Sequence, residues 1–196
     1  DIPLIEVNHT NGHIMALFAQ EEGETTKVPD FPFLCLAVSG GHTQIIKVND
    51  YFDLEIIGKT IDDAAGEDFD KIAKIMGLPY PGGPIIDRLA KEGNPDAFSF
   101  SKANVAGLNY SFSGLKTSFL YFLRDRLKED ADFVEKNKAD LCASIQKEII
   151  ETLMKKLIKA TKETGIKQVA IAGGVSANSG LQKAMHENGK RYGWEV

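Results

Sequence analysis

The chain has 196 residues, 43% of them hydrophobic and 26% charged, with a formal net charge of −5. That length can bury a real core in one or two domains, and the acidic balance excludes a surface that grips nucleic acid on every side while leaving a local basic face open. Cys35, in an apolar run, and Cys142, at a helical position, lack Cys-x-x-Cys spacing and read as reduced core thiols. No stretch approaches the roughly 18 apolar residues that span a bilayer and nothing reads as a signal peptide, so no membrane partner and a cytoplasmic location are expected.

In chain order, Ile2–Val7 reads as the end of a strand, and Asn8 as the cap of a helix running to about Ala19. Residues 20–32 are polar, with two prolines and three glutamates, and read as a loop between two structural units. Phe33–Val38, Thr43–Val48 and Leu54–Gly58 form a three-stranded meander. Ala65, Phe69, Ile72, Ala73 and Met76 then give residues 62–76 a helical apolar face. The stretch GLPYPGGP breaks that helix, and a short one follows over Ile85–Lys91.

An irregular connection leads to Ser113, read as the cap of a helix to Leu127. A longer helix over 132–164 places Cys142, Ile145, Ile149, Leu153, Leu157 and Ala160 on one face. A buried strand, 168–172, ends in GGVSAN, and a last helix begins near Ser176 and runs to about Asn188. The opening DIPLIEVNH and the closing GWEV both read as strand pieces, so the chain is expected to be part of a longer protein. Meander, helical block and strand-turn-helix make an α/β arrangement with a helical insertion.

Three Gly-Gly pairs punctuate this pattern. Gly40-Gly41 joins two strands, between Ser39 and the His42-Thr43 pair; its bare N–H groups and the flanking hydroxyls suit an anion, and a plain hairpin has the same pattern. Gly173-Gly174 sits at the carboxyl end of a strand, where open α/β sheets bind ligands, with Asn178 close behind; a tight strand-to-helix turn reads alike. The spacing is not GxGxxG, which disfavours a dinucleotide site. Gly82-Gly83 lies among carboxylates: Asp63, Glu67 and Asp70 share a helical face by spacing, suited to ribose hydroxyls, to a metal, or simply to solvent.

His9 and His13 have the i, i+4 spacing of two metal ligands on one helical turn, and equally of two unrelated surface histidines. Thr10 stands where an HExxH protease needs its glutamate, so peptidase chemistry is disfavoured. Lys116 is a candidate for an RNA phosphate or an ordinary surface lysine, and Lys155, Lys159 and Lys162 form a weaker stripe.

Taken in order, VNHTNGH, LAVSGGHTQ, GKTIDDAAGEDFDKIAKIMGLPYPGGPIIDRLA, SFSGLKTS and IAGGVSAN closely resemble the tRNA adenosine threonylcarbamoyltransferase family, once described as O-sialoglycoprotein endopeptidases. The resemblance covers essentially the whole chain. It implies the actin-like ATPase fold of sugar kinases and heat-shock ATPases, ribonuclease H-like, here a lobe with a helical insertion, truncated at both ends. Residues 1–30 would end a first lobe and carry the His-x-x-x-His helix; residues 31–196 would be the second lobe, incomplete at its C-terminus.

The implied reaction moves a threonylcarbamoyl group from threonylcarbamoyl-adenylate to the N6 amine of the adenosine 3′ of the anticodon, in tRNAs reading codons that begin with A. By motif, His9 and His13 are two of three ligands of one divalent metal per subunit, iron or zinc, with the third ligand missing from this chain. Ser39, Gly40, Gly41, His42 and Thr43 would line the phosphate and acyl group. Asp70, Gly83 and Asp87 would surround the ribose and adenosine, and Asn178 would hold the adenosine turn. The implied partners are tRNA, the adenylate and accessory proteins, with self-association of an incomplete lobe and an impaired activity expected. No residue is identified as general base. A kinase or ATPase of the same fold, and a non-catalytic partner-binding piece, are the alternatives.

Overall fold

The computed structural model describes residues 2–19 and 27–196, so most of the expected loop over 20–32 lies outside the described residues. Strand β1 (Phe33–Val38) is buried along its whole length, as its unbroken apolar run requires of a central strand. It pairs antiparallel with β2 (Thr43–Asp50), which pairs antiparallel with β3 (Asp53–Lys59). The fourth strand, β4 (Val169–Ala172), lies parallel to β1 on its other side, giving the order β3-β2-β1-β4. The meander is therefore extended by the late strand, whose carboxyl end falls beside the β1–β2 turn.

Alternation on β1 separates two apolar layers. Leu34, Leu36 and Val38 join Ile45 in the main core with the helices, while Phe33, Cys35 and Ala37 meet Ile46, Val48 and Ile14 on the opposite face. Ile14 belongs to α1 (His9–Met15), so the histidine helix packs directly on the sheet. Asn8 caps α1 as its sequence position suggests, accepting from the Thr10 N–H at 2.9 Å. The helix ends early, however: a 3-10 turn over Ala16–Phe18 replaces its last residues. The strand expected over Ile2–Val7 does not form, and its side chains are exposed, with no neighbouring strand among the described residues to bond its backbone.

The helical block begins with α2 (Ala65–Ile75) and α3 (Gly82–Ala90). Both starts differ from the periodicity reading. Asp62 and Asp63 precede α2, because the Thr43 hydroxyl accepts from the Ala65 N–H (2.9 Å) and begins the helix there. Gly82 and Gly83 open α3 instead of merely breaking α2. Helix α4 (Ser113–Glu129) is not capped by Ser113: its N-cap is Phe112, and the Asp62 carboxylate accepts the Phe112 N–H (2.8 Å) and the Ser113 hydroxyl (2.7 Å). Burial works against ionisation of Asp62, yet these donors hold its carboxyl below the usual range.

Helix α5 (Phe133–Thr164) is interrupted once at Asn137 and stops at Gly165 in the left-handed conformation. Cys142, Ile145, Ile149, Leu153, Leu157 and Ala160 are all fully buried, as their shared face predicts. After β4 a short 3-10 turn (Gly174–Ala177) intervenes, so α6 starts at Ser179 and runs to Tyr192. The closing residues do begin a strand-like pairing, Gln168 with Glu195. No helix among the described residues is long and apolar enough to cross a membrane.

Candidate functional site

Two close approaches bring the glycine pairs together. Gly173 has φ +91°, and a Cβ there would stand 2.4 Å from the Val38 carbonyl oxygen, so only glycine lets the β4 end lie against the β1 end. Gly66, in the first turn of α2, would likewise place a Cβ 2.4 Å from the Ser39 carbonyl oxygen. The first turn of α2 is thereby pressed onto the Ser39–Thr43 turn. A cavity of about 420 Å3 results, with Gly40, Gly83 and Gly174, one from each pair, in its wall. Asp70, Asp87 and Asn178 also line it, as do the apolar faces of Phe69, Pro81 and Val175.

The first turns of two helices meet here: Gly66 of α2 and Gly83 of α3 line the cavity, and Asn178, the cap of α6, stands opposite. Helix starts carry free N–H groups and partial positive charge, which favours an anion between them. The Gly40 N–H adds to this, since no acceptor among the described residues takes it; Gly41 is next to the wall without lining it, Ser39 N–H is bonded to the His42 carbonyl (2.8 Å) and His42 N–H to the Ser39 hydroxyl (3.1 Å).

The acidic residues are held firmly. Asp70 accepts from the Gly82 N–H at 2.8 Å, which ties α2 to the start of α3. Asp87 accepts from the Ser179 N–H (2.9 Å), the Ser179 hydroxyl (2.8 Å) and Gln146 Nε2 (3.1 Å). Burial opposes the charge on Asp87, but the Ser179 and Gln146 donors outweigh it and keep the carboxyl below its ordinary value. Asn178 caps α6 through the Leu181 N–H (2.9 Å) and donates to Gln146 Oε1 (2.8 Å). Tyr80, 85% exposed, stands at the cavity mouth.

Of the residues singled out in the sequence, the cavity gathers Gly40, Asp70, Gly83, Asp87 and Asn178. Thr43 is fully buried and its hydroxyl caps α2, so it supports the turn from behind. Asp63 and Glu67 are not in the cavity wall: Asp63 pairs with Lys71 and Lys116, both at 3.0 Å, and Glu67 pairs with Lys71 at 2.6 Å and shares with Asp70 an adjoining groove. Lys116 is thus engaged in an ion pair. Lys155, Lys159 and Lys162 border a separate groove between α5 and α6.

A crevice of only about 10 Å3 holds His9, His13, Ser39, His42 and Gly173. The two Nε2 atoms of His9 and His13 are 2.9 Å apart. Two imidazoles bound to one ion at 2.0–2.1 Å each would be separated by about 2.9–3.4 Å, so the pair fits a shared cation. Among the described residues no third His, Cys, Asp or Glu completes a metal-binding group with them.

Sequence reasoning missed Gln146, Ser179 and Gly66. Gln146 had a legible signal, a lone amide four residues from Cys142 on an apolar face. The partners of Ser179 and Gly66 lie about 92 and 27 positions away and leave no local trace.

A protein-family model described as tRNA N6-adenosine threonylcarbamoyltransferase matches residues 1–196. A protein of that name from Porphyromonas gingivalis is 64% identical over the whole chain, and one from Christiangramia forsetii is 60% identical; the chain spans 57% of each. Among solved structures, full-length HypF in its phosphate- and nucleotide-bound form superposes over the whole chain and 33% of its own length, with a TM-score of 0.68 at 16% identity. That likeness bears on fold alone, and the fold is that of an actin-like ATPase lobe. Matched from end to end by one family model, and at this identity by relatives of the same name, the chain belongs to the tRNA N6-adenosine threonylcarbamoyltransferase family.

Proposed function

We propose that this chain provides the nucleotide pocket of an enzyme that transfers a threonylcarbamoyl group from threonylcarbamoyl-adenylate to the N6 amine of the adenosine 3′ of the anticodon, in tRNAs reading codons that begin with A. The observation that carries the reading is the joining of three bare glycine turns and two helix starts around one cavity that also holds Asp70 and Asp87. A phosphoryl group suits the N–H groups, and the hydroxyls of a ribose suit the carboxylates. The apolar wall formed by Pro81, Phe69 and Val175 suits a nucleobase.

In the reaction, the amine nitrogen attacks the carbamoyl carbon of the adenylate. The C–N bond forms, the bond from that carbon to the phosphate oxygen breaks, and AMP leaves with the electron pair while the amine proton passes to solvent. Gly40 and Gly41 N–H groups stabilise the negative charge that gathers on oxygen. Positioning dominates, because an aromatic amine is a weak nucleophile and the mixed anhydride is already activated. We place one divalent ion, iron or zinc, on His9 and His13, where it would act as a Lewis acid and template. The same reading assigns residues 1–30 to the end of a first lobe, residues 31–196 to a second, and the whole to the cytoplasm with accessory proteins as partners.

The test uses the protein at its natural length, its adenylate and an anticodon stem-loop. Formation of N6-threonylcarbamoyladenosine with an equal amount of AMP supports the proposal. ATP hydrolysis that proceeds without any effect of the adenylate would replace it with the kinase or ATPase reading.

A further inference from the structure

Behind two residues of the cavity wall lies a buried amide that does not itself line the cavity. Gln146 on α5 is 7% exposed and is absent from the cavity wall. Its Nε2 donates to Asp87 Oδ1 (3.1 Å) and its Oε1 accepts from Asn178 Nδ2 (2.8 Å). One side chain therefore joins α3, α5 and the cap of α6, and both residues it holds line the cavity.

The chemistry of the three groups fixes their order. An ionised carboxylate only accepts, so Gln146 must turn its NH2 toward Asp87 and its oxygen toward Asn178. Asn178 must then offer its own NH2 to Gln146, which leaves its oxygen for the Leu181 N–H (2.9 Å). The charge of Asp87 thus sets the orientation of two amides in succession. The residues nearest to glutamine in length fail here: ionised glutamate cannot donate, lysine cannot accept, and methionine has no donor and only a weak acceptor. Room for the amide comes from Gly180, where a Cβ would stand 2.7 Å from Gln146 Nε2.

We propose that Gln146 is a positioning residue for the nucleotide end of the cavity. It holds the Asp87 rotamer and the Asn178 amide in the arrangement that receives the nucleoside, and so sets affinity for the adenylate without touching it. The inference rests on the reading of the cavity as a nucleotide site, and the experiment separates the two.

AMP is titrated by calorimetry into the protein at its natural length, and transfer is followed at varied threonylcarbamoyl-adenylate concentration. Gln146→Met, close in shape and apolar, is expected to raise the AMP Kd and the KM about tenfold, with kcat held within twofold. Gln146→Glu is expected to do more, because it aims a second carboxylate at Asp87. Adding Asp87→Asn to Gln146→Glu reverses donor and acceptor between residues 87 and 146, leaves the Asn178 link as it is, and should recover part of the affinity that Gln146→Glu loses, the remainder being lost with the Asp87 carboxylate.

A merely structural role gives a different pattern: fewer active molecules lower kcat and leave KM alone. That pattern, or an AMP Kd for Gln146→Met within twofold of the wild type, overturns the inference while the nucleotide reading stands. If the folded wild-type protein does not bind AMP at all, both fall. Should Gln146→Met fail to fold, the paired behaviour of Gln146→Glu with and without Asp87→Asn decides the matter.

Discussion

The proposed nucleotide cavity and the histidine crevice both border the Ser39–Thr43 turn, and they are built to different degrees. Around the cavity, every charged or amide group already has its partner within the chain: Asp70 with Gly82, Asp87 with Ser179 and Gln146, Asn178 with Gln146 and Leu181. In the crevice, among the described residues, the His9 and His13 rings hydrogen-bond only to each other, beside the Ser39 turn, the exposed His42 and Gly173. A region whose polar groups are satisfied internally holds its shape before any ligand arrives. Two imidazoles whose Nε2 atoms are 2.9 Å apart would take a definite geometry with the proposed cation between them.

The strongest way to break this contrast is through the contact that forms the cavity. Gly66→Ala forces a methyl group against the Ser39 carbonyl and Gly40 Cα, which are backbone atoms and have no rotamer to yield. We expect a loss of about 3–4 kcal/mol in urea unfolding, together with loss of AMP binding. A stable variant that still binds AMP would show that the cavity does not depend on this approach.

Asp87→Ala should come next in size. It strips three donors of their acceptor and removes the outer support of the α6 start, at a cost of about 2–3 kcal/mol. AMP binding should fall with it, whereas zinc binding to the histidine pair, followed by calorimetry, should be unchanged. A parallel loss of both would mean that the two regions are not separately built.

How much of this was legible in the sequence depends on the range of the interaction. The β1 and β2 starts, the apolar face of α5 and the Asn8 cap follow from alternation, helical spacing and one local hydrogen bond, and they stand where those rules place them. The starts of α2 and α4 do not, because their capping groups, Thr43 and Asp62, sit 22 and about 50 positions away. Ile2–Val7 has strand-forming residues and no neighbour to pair with among the described residues, and a strand without a partner leaves its backbone to water. In the candidate site, the glycine pairs were visible as punctuation. Their meeting was not, since it depends on Gly173 and Gly66 lying against backbone that is distant in sequence.

A carboxylate on the same helix as Asp70 sharpens the contrast from another side. Asp68 is fully buried, and neither oxygen has a hydrogen-bond partner among the described residues. Burial first, and then the nearby Asp63 charge, raise its pKa to about 8, against the opposing pull of Lys116 and Lys71. An unfolded aspartate titrates near 3.9. Stability tied to the neutral acid is therefore complete below about pH 4 and is lost as pH rises toward about 8, where it levels off. Asp68→Asn keeps the shape without the charge, and should raise stability by about 2 kcal/mol at pH 8 with no gain at pH 4. A gain of equal size at both pH values would trace the effect to packing and not to ionisation.

The smallest effect on the fold is expected at the crevice itself. His13 is half-buried in the crevice beside Ser39 and Gly173, and its ring meets only His9 among the described aromatic groups. Removing it should change unfolding free energy by less than about 1 kcal/mol, as for a half-buried side chain whose polar partner is the exposed His9. His13→Ala should nonetheless abolish measurable zinc binding, because one imidazole alone is a weak ligand, while the AMP Kd stays within about twofold. The two readings together are what the contrast requires: a cation site that contributes almost nothing to the fold, beside a nucleotide cavity that is part of it. A large drop in Tm, or a matching loss of AMP affinity, would show instead that the histidine helix helps hold the cavity wall through the Ser39 turn, and that the two regions form one site.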